Sequence, residues 1–180
     1  MWSSVGTLAA MAASKSKFAL KDKVVHPHHG AATIVKRVKQ EVAGEKRDYF
    51  VLEVATEPLT VMVPIEGMEE TIRPVISKTA AQKVFRTFRE EPVESGSNWS
   101  RWYKVLNEKM TSGDIYQVAE VVRDLTYAQQ LKGISPALKR MLSKARLTLS
   151  SELQFALDMD EEAVIKKIDR ALPKVEPQED

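Results

Sequence analysis

The apolar residues of this 180-residue chain follow the pattern of short strands between Phe18 and Arg73, and recur as in helices from Thr79. A strand buries every second side chain and a helix every third or fourth, so the change of period divides the chain into two kinds of structure. On the β side, Lys23 to His26, Ala31 to Gln40, Asp48 to Ala55 and Leu59 to Val63 are rich in Val, Ile, Thr, Tyr and Phe. Turn chemistry separates them: Pro27-His28-His29-Gly30, then Ala43-Gly44-Glu45 as a hairpin tip, then Glu57-Pro58. Along Asp48 to Ala55, Phe50, Leu52 and Val54 fall on one face and Tyr49, Val51, Glu53 and Ala55 on the other. Strands this short favour a small, strongly bent antiparallel sheet or barrel.

From Thr79 the residues Ala80, Val84 and Phe88 mark a first helix, to about Arg89. Glu91 to Asn98, with Pro92, Ser95, Gly96 and Ser97, is a linker, and Ser97 or Asn98 caps a helix from Trp99 to about Met110. Asp114 caps the next, whose apolar stripe of Ile115, Val118, Ala119, Val122 and Leu125 ends by Gly133. Ser135-Pro136 opens a fourth helix, since proline's missing N–H costs nothing at the first helical position; it continues to about Leu157. Asp160-Glu161-Glu162 starts a last one, its carboxylates facing the positive end of the helix dipole. The expected class is therefore α+β: a small antiparallel β domain over residues 17–76, then an all-α bundle over 77–172. Residues 1–16 and 173–180 are expected to be disordered flanks.

The formal net charge is only +2, but it is unevenly spread: +1 over residues 1–76, +6 over 77–146 and −5 from 147 onward. A basic segment between neutral and acidic ones suits contact with a polyanion through one face of one domain, although a solvated helical surface reads equally well from charge alone. The chain has no cysteine, which excludes disulfides, thiolate metal sites and cysteine nucleophiles. No stretch approaches the length and apolarity of a membrane-spanning helix, and the weakly apolar start has no preceding basic residue, so a cytoplasmic protein is expected. His26, His28 and His29 invite a metal reading, which would make the chain a metal-dependent hydrolase. They have no carboxylate or thiolate partner at a recognised spacing, and a structural turn is preferred, with no metal and no cofactor. No phosphate-binding loop, nucleophile elbow or paired catalytic motif is present, and the glutamates read as helix-surface charge, so no enzyme activity is expected.

Two stretches carry a resemblance. Val24-Val25-His26-Pro27-His28-His29-Gly30-Ala31-Ala32 in the β part and Asn98-Trp99-Ser100-Arg101-Trp102-Tyr103-Lys104 in the helical part resemble the CarD family of bacterial transcription regulators. Ser112-Gly113-Asp114, the run Val118 to Leu125, and Lys139-Arg140-Met141-Leu142 with Lys144-Ala145-Arg146 are similar to the family's helices, and the likeness extends from about Phe18 to Leu172. The resemblance implies a Tudor-like β domain, shared with transcription-repair coupling factors, that docks on the β subunit of RNA polymerase. It also implies a helical bundle that contacts the upstream edge of the melting promoter through a tryptophan wedge in the minor groove. By position that residue is Trp99, with Arg101 and Lys104 as phosphate contacts, Lys139 as a second basic position and Arg140 beside it.

From the residues alone, Trp99 reads first as a core tryptophan; the resemblance reverses that preference. Trp102 and Tyr103 are expected to pack inward. The family often carries a basic residue at position 102, so tryptophan there removes a phosphate contact. For the polymerase, the natural mode is addition to an exposed edge strand. The candidates are Lys39, Gln40 and Arg47 around the hairpin and Val61, Met62 and Val63 in the following strand. Some relatives have arginines where this chain has Gln40 and Met62, which weakens any salt bridge assigned there. An aromatic cage for methylated side chains is disfavoured, because Tyr49 and Phe50 point to opposite faces. The expected protein is a monomeric regulator of open-complex stability that binds RNA polymerase and promoter DNA. The rival is an architectural DNA-binding protein that acts without polymerase.

Overall fold

The computed structural model describes residues 16–175. Five antiparallel strands, β1 (Lys23–His26), β2 (Gly30–Val42), β3 (Glu45–Val54), β4 (Thr60–Pro64) and β5 (Arg73–Pro74), form one sheet in the order β4-β3-β2-β1-β5. A register shift between Ile34 and Lys36 bends the long β2–β3 ribbon, so that its outer half projects from the sheet. Phe50 and Leu52, predicted to share a face, join Val24, Ala32, Ile34 and Val63 in a core. A short helix, α1 (Met68–Thr71), lays Met68 on that core, with Ile65 and Ile72 on either side. Neither α1 nor β5 was foreseen from the sequence, because elements of four and two residues are too short to show a period.

The remaining helices are α2 (Lys78–Thr87), α3 (Trp99–Thr111), α4 (Ile115–Lys132), α5 (Pro136–Leu157) and α6 (Glu161–Ala171). Each begins where a side chain supplies an acceptor to the open first turn: Ser77 to the amide of Ala80, Asn98 to Arg101, Asp114 to Tyr116, Ser135 to Leu138 and Asp160 to Ala163. The helices share a second core that includes Phe88, Leu106, Leu125, Leu138, Leu149 and Ile168. The central member is α4, packed against α2, α3 and α5. Enclosure on several sides explains why Val121 is buried as well as the predicted stripe, and why even Arg123 and Asp124 lie inside. Asp124 accepts the amide of Val93 at 3.0 Å and Nε of Arg123 at 2.8 Å, while Arg123 donates to the Thr87 carbonyl at 3.1 Å. The segment read as a linker is thus fastened to the bundle at Val93. The expected flank at 1–16 lies, except for Ser16, outside the described residues, as does the tail beyond 175; Gln130 bonds the backbone of both Pro173 and Val175.

Sheet and bundle meet along α5. Glu152, whose side chain is 1% exposed, takes two bonds from the Arg73 guanidinium, at 2.6 and 2.8 Å, and a third from the amide of Ile76 at 3.1 Å. Arg73 reaches on to the carbonyl of Gly113 at 2.8 Å. This corrects the reading of the glutamates as surface charge, and the sequence held a signal for it. Glu152 lies three residues after Leu149 and seven after Ala145, inside the apolar phase of α5. Nearby, Gly30 adopts φ +75°, a conformation that L side chains rarely adopt, so the turn after β1 needs glycine for its backbone, while a Cβ there would make only ordinary contact with the Thr148 methyl at 3.5 Å.

Candidate nucleic-acid interface

Asn98 sets the geometry of the tryptophan block. Its side chain accepts the Arg101 amide at 2.9 Å and its carbonyl the Trp102 amide at 3.1 Å, which starts α3 at Trp99. Because Trp99 and Trp102 are three residues apart, they lean toward the same side of the helix but reach different depths. Trp102 is 6% exposed and belongs to the helical core, whereas Trp99 is 44% exposed. The two indoles meet edge to face, with centroids 5.7 Å apart and planes at 90°. Trp99 is thus an exposed indole standing on a buried one, which limits its motion without hiding its surface.

Arg101 and Lys104 follow on α3 and are exposed, three residues apart, and Lys104 lies 3.9 Å from Glu108, a distance that adds little at an exposed site. One turn beyond Trp99, Tyr103 was expected to pack inward but is 43% exposed. It lines a cleft with Asn107 of α3 and with Arg140, Met141 and Lys144 of α5. The structure therefore brings Arg140 to the α3 surface. Lys139 is exposed on the same helix but does not line this cleft. Lys144 was quoted in the resemblance without being singled out, although its spacing of four residues from Arg140 places both on one side of α5.

The residues considered for polymerase docking occupy one margin of the sheet. Gln40 faces Arg47 across the β2–β3 ribbon, Lys39 faces Asp48, and all of Lys39, Gln40 and Arg47 are exposed. Arg47 is engaged with Glu45, its Nε 3.1 Å from Oε2. In β4, Met62 points outward, Val61 is half-buried and Val63 belongs to the sheet core. Among the described residues no strand covers the outer edge of β4.

His26, His28 and His29 cluster by ring contact, with His26 and His29 centroids 4.8 Å apart. Nδ1 of His26 accepts the amide of His28 at 3.1 Å, closing the turn. Burial first, then the charges of His29 and His28, holds the His26 imidazole below its ordinary value of 6.5, so its neutral form is the one that accepts this bond.

Residues 18–76 match the model of the CarD-like/TRCF RID domain, and residues 83–169 that of the CarD C-terminal domain. The chain belongs to the CarD family. It is also 31% identical over 148 residues to a Bacillus subtilis (strain 168) protein named "Putative transcription factor YdeB", a match covering 82% of this chain and 97% of that one. The order of the two matched domains is that of the sheet and the bundle, and the Trp99 block falls within the second. This CarD-family chain also contains, among the described residues, no helix long and apolar enough to cross a membrane.

Proposed function

We propose that this CarD-family protein regulates transcription initiation by holding RNA polymerase, through its β subunit, at the open margin of the sheet, while the α3–α5 face contacts the upstream edge of the promoter bubble. The observation that carries the reading is the exposed Trp99 indole, braced on buried Trp102 at the start of a helix whose next exposed cations are Arg101 and Lys104. A large apolar surface at a helix start, with cations following on the same helix, suits a wedge that enters an unstacked base step while the cations meet phosphates. Lys139 and Arg140 extend the basic surface along α5.

Such a protein needs no catalytic chemistry. If the wedge and its cations bind melted promoter better than closed duplex, they shift the opening equilibrium by the difference in affinity. Attachment to polymerase raises the local concentration of weak DNA contacts, so the chain need not read a sequence or bind DNA tightly alone. Backbone pairing at β4, with Met62 exposed and the Lys39–Gln40–Arg47 end of the ribbon adjacent, supplies the attachment.

The decisive experiment is Trp99→Ala, assayed for thermal melting and for open-complex lifetime on one promoter. Nearly half of the indole is already solvated, so the variant should lose about 1–2 kcal/mol at most, against about 3–5 kcal/mol for a fully buried tryptophan. A shortened lifetime with a nearly unchanged melting temperature is the expected result. An unchanged lifetime would remove the wedge from the mechanism.

A further inference from the structure

We propose that the cleft where α3, α5 and the turn after β1 meet is a second DNA-backbone site, which receives unpaired strand leaving the Trp99 wedge. The inference rests on the DNA-binding reading above and extends it to residues of both structural parts. The cleft has a volume of about 270 Å³, its α3 wall carries Tyr103 and Asn107, its α5 wall Arg140 and Lys144, and His28 closes one end from the sheet.

Charge selects the occupant. No Asp or Glu lines this cleft, and neither Arg140 nor Lys144 forms an ion pair among the described residues. Other cations of the bundle are neutralised, Lys109 by Glu120, Arg123 by Asp124 and Arg146 by Asp169, whereas these two line a cleft that holds no carboxylate. Two cations without ion-pair partners on one wall of a carboxylate-free cleft fit an anion. Beyond His28 the surface continues into a groove that includes Glu57, close to His29, so the carboxylate-free ground ends there.

Shape selects a strand over a small molecule. The cleft stands at the lower end of the roughly 300–1,000 Å³ of typical small-molecule pockets, and Tyr103 and Asn107 on its α3 wall continue from Trp99 outside it at spacings of one helical turn. One such step along α3 is about 6 Å, close to two base steps of about 3.4 Å each. A strand unstacked at Trp99 can therefore lay a base on the exposed Tyr103 ring while its phosphates pass Arg140 and Lys144. Aromatic faces alternating with cations are the general means of holding single-stranded nucleic acid.

The test is fluorescence anisotropy with the full chain and two labelled probes, a fully paired duplex and the same duplex with an unpaired fork, for wild type, Lys144→Gln, Tyr103→Ala and Arg101→Gln. Tyr103→Ala should weaken the forked probe about fivefold or more and the paired duplex much less. Lys144→Gln should weaken the forked probe and reduce the slope of log affinity against log salt by about 0.7–0.9, the loss of one phosphate contact. Melting temperatures should hold, since both side chains are exposed. If Arg101→Gln weakens binding while Lys144→Gln and Tyr103→Ala match wild type, the cleft assignment fails and the DNA-binding reading survives. The titrations are run at low salt and up to millimolar protein, where weak phosphate contacts register, and if wild type still binds neither probe, both fail. A labelled mononucleotide bound as tightly as the forked probe would identify a free nucleotide as occupant and overturn the assignment to a strand.

Discussion

Removal of Arg73 should separate two ways in which a buried ion pair can matter. The Glu152 carboxylate is 1% exposed and is satisfied by two guanidinium bonds and the Ile76 amide, whereas the Arg73 side chain is 33% exposed and also holds the Gly113 carbonyl. Deleting one partner of a buried pair typically costs about 3–5 kcal/mol, because the other charge is left without compensation. In Arg73→Ala the abandoned charge is the fully buried one. Since the Ile76 amide remains, the cost should fall near the lower end, about 3 kcal/mol. In Glu152→Gln the abandoned charge is the guanidinium, which reaches water, and the new amide oxygen still accepts from Ile76, so about 1–2 kcal/mol is expected. The double variant Arg73→Ala/Glu152→Gln should be more stable than Arg73→Ala alone, because the buried charge has gone. Urea unfolding followed by far-UV circular dichroism and tryptophan fluorescence measures all three, with Trp99 and Trp102 reporting on the bundle. A cost below about 1 kcal/mol for Arg73→Ala, or a larger cost for Glu152→Gln, would refute the asymmetry on which this reasoning depends.

Trp102→Ala should lower stability by about 3–5 kcal/mol, far more than Trp99→Ala, when the two are unfolded side by side; equal losses would mean that both indoles are core. Acidification should destabilise the chain through His26: its folded value lies below 6.5, so the unfolded chain binds the extra proton first, and stability present above about pH 6.5 is lost as pH falls through the folded value. His26→Asn, which keeps an acceptor for the His28 amide, should flatten that part of the melting-temperature profile, and an unaltered profile would clear His26 of the effect. Residues 17–76 alone should retain RNA polymerase in a pull-down, because the sheet has its own apolar core; equal retention by residues 77–180 would place the polymerase surface elsewhere.

The local chemistry of the chain was legible wherever it depends on neighbours in sequence. Asp114, Ser135 and Asp160 were read as helix starts, as was Asn98 with Ser97 as the alternative, and all four accept an amide of the first turn. The four main strands fell where Val, Ile and aromatic residues cluster between turn signals. What escaped depends on contacts between distant residues. Arg73 and Glu152 are 79 positions apart, and although the apolar phase of α5 marks Glu152 as buried, nothing in the sequence names Arg73 as its partner until β5 is laid on α5. The exposure of Tyr103 was invisible for the same reason. Periodicity states that α3 has an apolar side, but the depth of α3 in the bundle decides that Trp102 and Leu106 fill it and that Tyr103 faces a cleft. Trp99 was placed as a wedge by resemblance, not by pattern, since an indole at a helix start serves a core equally well.

The junction of sheet and α5 bears on the proposed function because the polymerase surface proposed at β4 lies away from it, while the proposed DNA cleft adjoins it. β4 is separated from β1 by β3 and β2, about 14 Å at the usual strand spacing, so a partner added at β4 leaves the α5 junction untouched. A rigid junction then fixes where the Trp99 face sits relative to whatever holds the sheet. Were the junction loose, the same two binding sites would meet DNA at a lower effective concentration, and the contribution of the tether would fall even with every contact residue intact. Arg73→Ala distinguishes these cases in one measurement. Arg73 is remote from Trp99 in sequence and outside both proposed binding surfaces, so polymerase pull-down by the full chain should persist under conditions where the variant remains folded. Open-complex lifetime should nevertheless shorten, through the geometry of the junction alone. A lifetime equal to wild type, with the stability loss present, would mean that the bundle finds promoter DNA as a freely tethered module and that the Arg73–Glu152 pair serves folding only.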